Sequence, residues 1–183
     1  AATTRVAMIS SPLRSRFSGG VYRLEFYTEP EIEEIVKRSA KILGVEMNKG
    51  AEKAIAKRAR STPRTANYFL KRARDFAQVH KKDLDENVVT EALNLLGVDE
   101  VGLTPSDRKL LETLADKFGG GPVGLGTLAA SLSEEEATIE EFNEPYLIQL
   151  GLLERTSRGR VLTVNGYSHI GKTAPKDLQK KLI

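Results

Sequence analysis

Apolar residues recur at helical spacing along most of this chain, and that periodicity predicts a mainly α-helical protein. Ile32, Ile35, Val36 and Leu43 share one face of a first long helix. Thr28-Glu29-Pro30-Glu31 ahead of them has capping-box spacing, and Gly44 behind them supplies a C-terminal stop. A second amphipathic stretch carries Ala51, Ala54, Ile55 and Ala59. Thr62-Pro63 restarts a third, whose stripe is Ala66, Phe69, Leu70, Ala73 and Phe76. Val88, Val89, Ala92, Leu93 and Leu96 form a fourth, ended by Gly97. Residues 28–97 therefore read as a compact four-helix unit.

Residues 98–104 look like a short linker. Thr104-Pro105 caps a fifth helix with Leu110, Leu111, Leu114 and Phe118 inside, and Gly119-Gly120-Gly121-Pro122 breaks the chain after it. A short helix around 125–132 follows. Another starts near Thr138, with Ile139, Phe142, Tyr146, Leu147 and Leu150 on one side, and Pro145 should kink it or end its regular hydrogen bonding. The aromatics on these stripes, Phe69, Phe76, Phe118, Phe142 and Tyr146, are expected in the core. Leu152 to Thr156 and Arg160 to Val164 then read as two strands around Ser157-Arg158-Gly159. Three helices and a basic-tipped hairpin make a winged-helix pattern over residues 98–171, with a basic tail at 172–183. At the other end, Tyr22 to Phe26 alternates polar and apolar as a half-buried strand does. Its partner strands are not evident in this chain. Ala1 to Arg5 likewise reads as a strand end entering a loop, so the expected sheet lies mostly outside the sequence.

Composition narrows the picture only a little. The 183 residues are 40% hydrophobic and 29% charged, as expected of a soluble globular protein, and no apolar run is long enough for a membrane span. No signal-like segment opens the chain. There are no cysteines, which excludes disulfides and thiolate metal sites and agrees with a cytoplasmic location. His80 and His169 lack nearby ligand spacing, so no metal site is expected. The net charge of +3 is small, but its distribution is uneven. From Arg155 onward seven Lys/Arg face one acidic residue, Asp177. Such an end fits either a phosphate-facing surface or a solvated tail.

Several segments, taken in order, resemble the RuvB family of AAA+ motors. Ala2-Thr3-Thr4-Arg5 is similar to that family's sensor 1, and Ser11-Pro12-Leu13-Arg14-Ser15-Arg16-Phe17 to its arginine-finger loop. Leu24-Glu25-Phe26-Tyr27 matches the strand leading into the lid, and Thr62-Pro63-Arg64 the sensor 2 motif. Gly120 to Leu125, Glu144 to Gln149 and Arg155 to Arg160 complete the set. The resemblance covers residues 1–171. It departs at Phe17-Ser18-Gly19-Gly20, lengthened by about one residue, at Ser61 for a usual Gly, and at Ser157 for a usual Pro. No Gly-x-x-x-x-Gly-Lys-Ser/Thr loop and no Asp-Glu Walker B pair is present.

The resemblance implies a remnant of an AAA+ α/β domain (1–27), a four-helix lid (28–97) and a winged-helix domain (98–171). It implies that Arg16 is a finger acting in trans on a neighbour's nucleotide, with Arg14 supporting it. Thr4 would position the attacking water, and Arg64 and Tyr27 would face the nucleotide of their own subunit. Arg155, Arg158 and Arg160 would contact DNA phosphates. For the intact protein it implies ATP with Mg, duplex DNA and Holliday junctions, the partner RuvA, a hexameric ring, and a role in recombination, repair and the SOS response. This chain alone is expected to bind nucleotide weakly and hydrolyse none. Two other readings stay open: a stand-alone winged-helix DNA-binding protein, and another AAA+ relative of the origin-recognition or clamp-loader type.

Overall fold

The computed structural model describes residues 9–17, 19–20, 22 and 24–175. A short helix, α1 (Ser11–Arg16), comes first, where the sequence suggests a loop; Pro12 in its first turn suits that start. Tyr22 and residues 24–27 are not a strand. Among the described residues no other strand pairs with them, so their alternation buries nothing, and Tyr22 and Leu24 are 86% and 89% exposed. A period-two pattern makes a strand only where a neighbour accepts its hydrogen bonds.

The expected four-helix unit follows as α2 (Glu29–Leu43), α3 (Ala51–Arg58), α4 (Pro63–His80) and α5 (Glu86–Leu95). The capping box at the head of α2 is formed: the Thr28 backbone N–H donates to the Glu31 carboxylate at 2.8 Å. Gly44 ends that helix in the left-handed conformation. Ile32, Val36, Ile55, Phe69, Leu70, Val89 and Leu93 fill one core, with many alanines letting the helices approach closely. Leu43, expected on the buried face, is 39% exposed. His80 is exposed at the end of α4 and stacks on Phe76, ring centroids 4.0 Å apart.

A second core belongs to α6 (Pro105–Phe118), α7 (Leu125–Leu132), a broken third helix and a hairpin. The break falls where Pro145 requires it. A short helical turn, α8 (Glu136–Thr138), runs into a π-helical turn at Ile139–Asn143 and resumes as α9 (Glu144–Gln149), with Pro145 in the first turn. Strands β1 (Leu153–Thr156) and β2 (Gly159–Leu162) pair antiparallel, and α10 (Val164–His169) closes the domain. Val123 adds a single bridge to Arg160, which turns the hairpin into a minimal three-segment sheet.

Residues 98–104 are more than a spacer. Arg108 reaches back from α6 to the carbonyls of Gly97 (2.7 Å) and Leu103 (3.0 Å). The Asp99 carboxylate accepts from the Val101 and Leu103 backbone N–H groups and pairs with His169 at 2.8 Å. The Tyr146 hydroxyl donates to the Val101 carbonyl at 2.5 Å. Gly102, at φ +84°, sits so close to the lid that a Cβ there would lie 2.4 Å from the Arg58 carbonyl oxygen. The joint between the two helical units is thus hydrogen-bonded throughout.

Candidate functional site

Two places hold Arg64 and the three wing arginines singled out by sequence. The first is the foot of α4. Thr62 caps the approach, Pro63 occupies the first position, and Arg64 projects into solvent from the first turn. The preceding Arg60 and Ser61 both take the left-handed conformation, φ +54° and +55°, so the chain reverses sharply between α3 and α4. That geometry explains why glycine suits the position of Ser61. Arg64 lines a cleft of about 630 Å³ whose wall includes Thr62, Tyr68, Phe142 and Tyr146. Phe142, expected in the core, is 57% exposed here, because the π-helical turn rotates it out of the buried stripe. Tyr27, half exposed, immediately precedes the cap of α2. Thr4 lies outside the described residues. Arg16 sits on α1, none of whose side chains is buried.

The second place is the wing. Thr156 and Gly159 face each other across the turn, leaving Ser157 and Arg158 at the tip. Gly159, at φ +135°, is packed so tightly that a Cβ would meet the Val123 carbonyl oxygen at 2.3 Å. Arg158 and Arg155 are exposed, and Arg155 pairs with Glu140 of the π-helical turn at 3.0 Å. Arg160 differs. Its side chain is 9% exposed, and its Nε and Nη2 donate to the two carboxylate oxygens of Glu144 at 2.5 and 3.2 Å. Alternation along β2 turns it inward, so it fastens the hairpin to α9 instead of offering itself to a phosphate. Of the three arginines expected to contact DNA phosphates, Arg155 and Arg158 are exposed and Arg160 is buried against Glu144.

Three side chains matter here whose partners the sequence reading did not find: Arg60 and Asp107, which it did not single out, and Glu144, which it named only within a family-like segment. Each is charged and nearly buried, and each finds its partner far along the chain, as Arg60 does with Asp107 at 3.0 Å. Nothing local marks such a residue, apart from the capping-box spacing of Thr104 and Asp107.

With this geometry in view, the comparisons with known proteins are specific. The model for the RuvB AAA lid domain matches residues 27–99, and that for the RuvB C-terminal winged helix domain matches residues 100–171. The chain belongs to the RuvB family. The RuvB Holliday junction branch migration motor of Thermotoga maritima superposes with a TM-score of 0.89 at 46% identity. That match covers 95% of this chain and 58% of the Thermotoga chain. A Lys-to-Arg variant of that RuvB gives the same values. A Thr-to-Val variant matches with a TM-score of 0.87 at 45% identity, over 92% of this chain and 57% of its own. The chain thus spans less than two thirds of these RuvB structures.

Proposed function

We propose that this chain is the lid and DNA-binding end of a motor that drives Holliday-junction branch migration. The observation that carries the reading is the wing: a short hairpin, rigidly seated, presenting Arg155 and Arg158 on a domain of the RuvB winged-helix type. A guanidinium at a hairpin tip suits phosphate oxygens of duplex DNA, and such contacts position a protein without reading sequence. Junction preference and recruitment of RuvA belong to the intact assembly, as do the hexameric ring and the cytoplasmic site of action in recombination, repair and the SOS response.

At the other site, Arg64 would contact the γ-phosphate of ATP held by its own subunit. Its place in the first turn of α4 puts an exposed cation beside the helix-end N–H groups. Tyr27 would border the nucleotide, and Arg16, exposed on α1, would reach a neighbour's nucleotide as a trans-acting finger. Such an arginine is worth about 10³ to 10⁵ in hydrolysis rate. Thr4 would position the attacking water. ATP with Mg is substrate here, and the phosphate loop and Walker B carboxylates are not in this sequence. The chain by itself would therefore hydrolyse no ATP; steady phosphate release by the purified chain would overturn that part of the reading.

The DNA part is tested by titrating a fluorescent duplex across a salt series. Each phosphate contact contributes about 0.9 to the slope of log affinity against log salt on duplex DNA. Replacing Arg155 and Arg158 together by Ala should weaken binding and lower that slope by about 1.8. An unchanged affinity and slope would remove the wing from the DNA interface.

A further inference from the structure

Arg60 stands four positions before Arg64, in the left-handed turn between α3 and α4, yet its side chain leaves the lid altogether. Nη1 donates to Oδ2 of Asp107 at 3.0 Å, and Nη2 donates to the carbonyl of Phe142 at 2.9 Å. The guanidinium also lies over the rings of Tyr146 (4.5 Å) and Phe142 (5.0 Å). Asp107 is fully buried in the first turn of α6, and its other oxygen accepts from the Asn143 amide at 2.8 Å. The residue after Asn143 is Glu144, which grips Arg160 of the wing. Polar contacts and one peptide bond therefore run unbroken from the foot of α4 to the hairpin.

We propose that Arg60 is a positioning residue: it pins the foot of α4, and with it Arg64, to the winged-helix domain, so that the arginine and the wing keep one fixed relation. The capping of α6 does not require it, since Asp107 already accepts from the Thr104 backbone N–H (2.8 Å) and hydroxyl (2.7 Å). What Arg60 adds is a planar fork that engages a carboxylate and a carbonyl while stacking on two rings, which a lysine cannot reproduce. It is a lid side chain whose contacts all lie on α6, the π-helical turn and α9, beyond the joint. Its value for nucleotide sensing rests on the reading of Arg64 given above. The pinning itself does not.

The chain has no cysteine, so two can be placed for spin labels without interference. Lys71→Cys on α4 and Ser157→Cys at the wing tip are both exposed positions. Pulsed electron-spin measurements should give one narrow distance distribution for this doubly labelled chain. Arg60→Ala should broaden it on the order of twofold, as release of a hinge does, with helix content retained by circular dichroism. Arg60→Lys, which keeps a cation beside the buried carboxylate, should broaden it by less. A folded Arg60→Ala chain with an unchanged distribution would overturn the proposal. Should Arg60→Ala fail to fold, Arg60→Lys decides: a broader distribution supports the pinning, and an unchanged one overturns it. No effect of Arg64→Ala on nucleotide binding in the intact motor would sink the sensor reading while leaving these distances untouched, so the two fail separately.

Discussion

A single arginine illustrates how far a side chain's type can mislead about its task. Arg155, Arg158 and Arg160 differ in nothing that composition or charge can register, but the pleat of β2 sends Arg160 inward onto Glu144. Removing one partner of a buried pair leaves the other charge stranded and costs about 3–5 kcal/mol. Arg160→Ala should accordingly lower the unfolding free energy of the winged-helix domain by about that much, measured by urea denaturation. Arg155→Ala, at an exposed pair with Glu140, should change stability by less than about 1 kcal/mol. Equal effects from the two substitutions would contradict the inward assignment. Alternation told which strand residues share a face. It could not tell which face the hairpin would bury, because that depends on Val123 and α9 arriving from elsewhere in the chain.

Helices, by contrast, carry their own punctuation. Thr28 with Glu31, Thr104 with Pro105, and Gly44 and Gly119 behind them mark ends that the structure places within a residue or two. Pro145 likewise announces the break that appears as a π-helical turn. The misreadings come where an element needs a partner or a local geometry that spacing does not encode. Residues 22–26 alternate without a neighbouring strand among the described residues, and Phe142 leaves its stripe because the π turn shifts the helical phase. The turn joining α3 to α4 gives a further case. Ser61 there pays the steric cost of a left-handed conformation, about 1–2 kcal/mol for a residue with a Cβ. Ser61→Gly should therefore raise the thermal midpoint, the gain being partly offset by the larger entropy of the unfolded glycine. A lower midpoint on differential scanning would show that the Ser61 side chain contributes contacts outweighing the strain.

The two helical cores behave as one body if their joint holds, and the joint contains a titratable reporter. Tyr146 donates its hydroxyl to the Val101 carbonyl, and burial pushes its pKa up to about 12, with Asp99 and Asp107 adding to the rise and Arg60 opposing it. The folded value lies above the unfolded one near 10, so the stabilisation is fully present below pH 10. It is lost as pH climbs from about 10 towards 12, because the unfolded chain then releases the proton first. Unfolding free energy should fall across that window, and Tyr146→Phe should flatten the fall while lowering stability at neutral pH. A decline of the same steepness in the Tyr146→Phe chain would assign alkaline sensitivity elsewhere.

The wing has strands of only four residues each, too few to hold their shape by ladder hydrogen bonds alone. The hairpin is tied down instead close to its turn, through Arg160 to Glu144 of α9 and through paired backbone bonds to Val123 at 2.8 and 3.0 Å. A tug on the tip is therefore shared with the bonds to Val123 and Glu144 as well as the ladder, where an untied hairpin has the ladder alone. In the motor proposed above, a part that pulls on a polymer would gain from such a mounting, being short and still stiff.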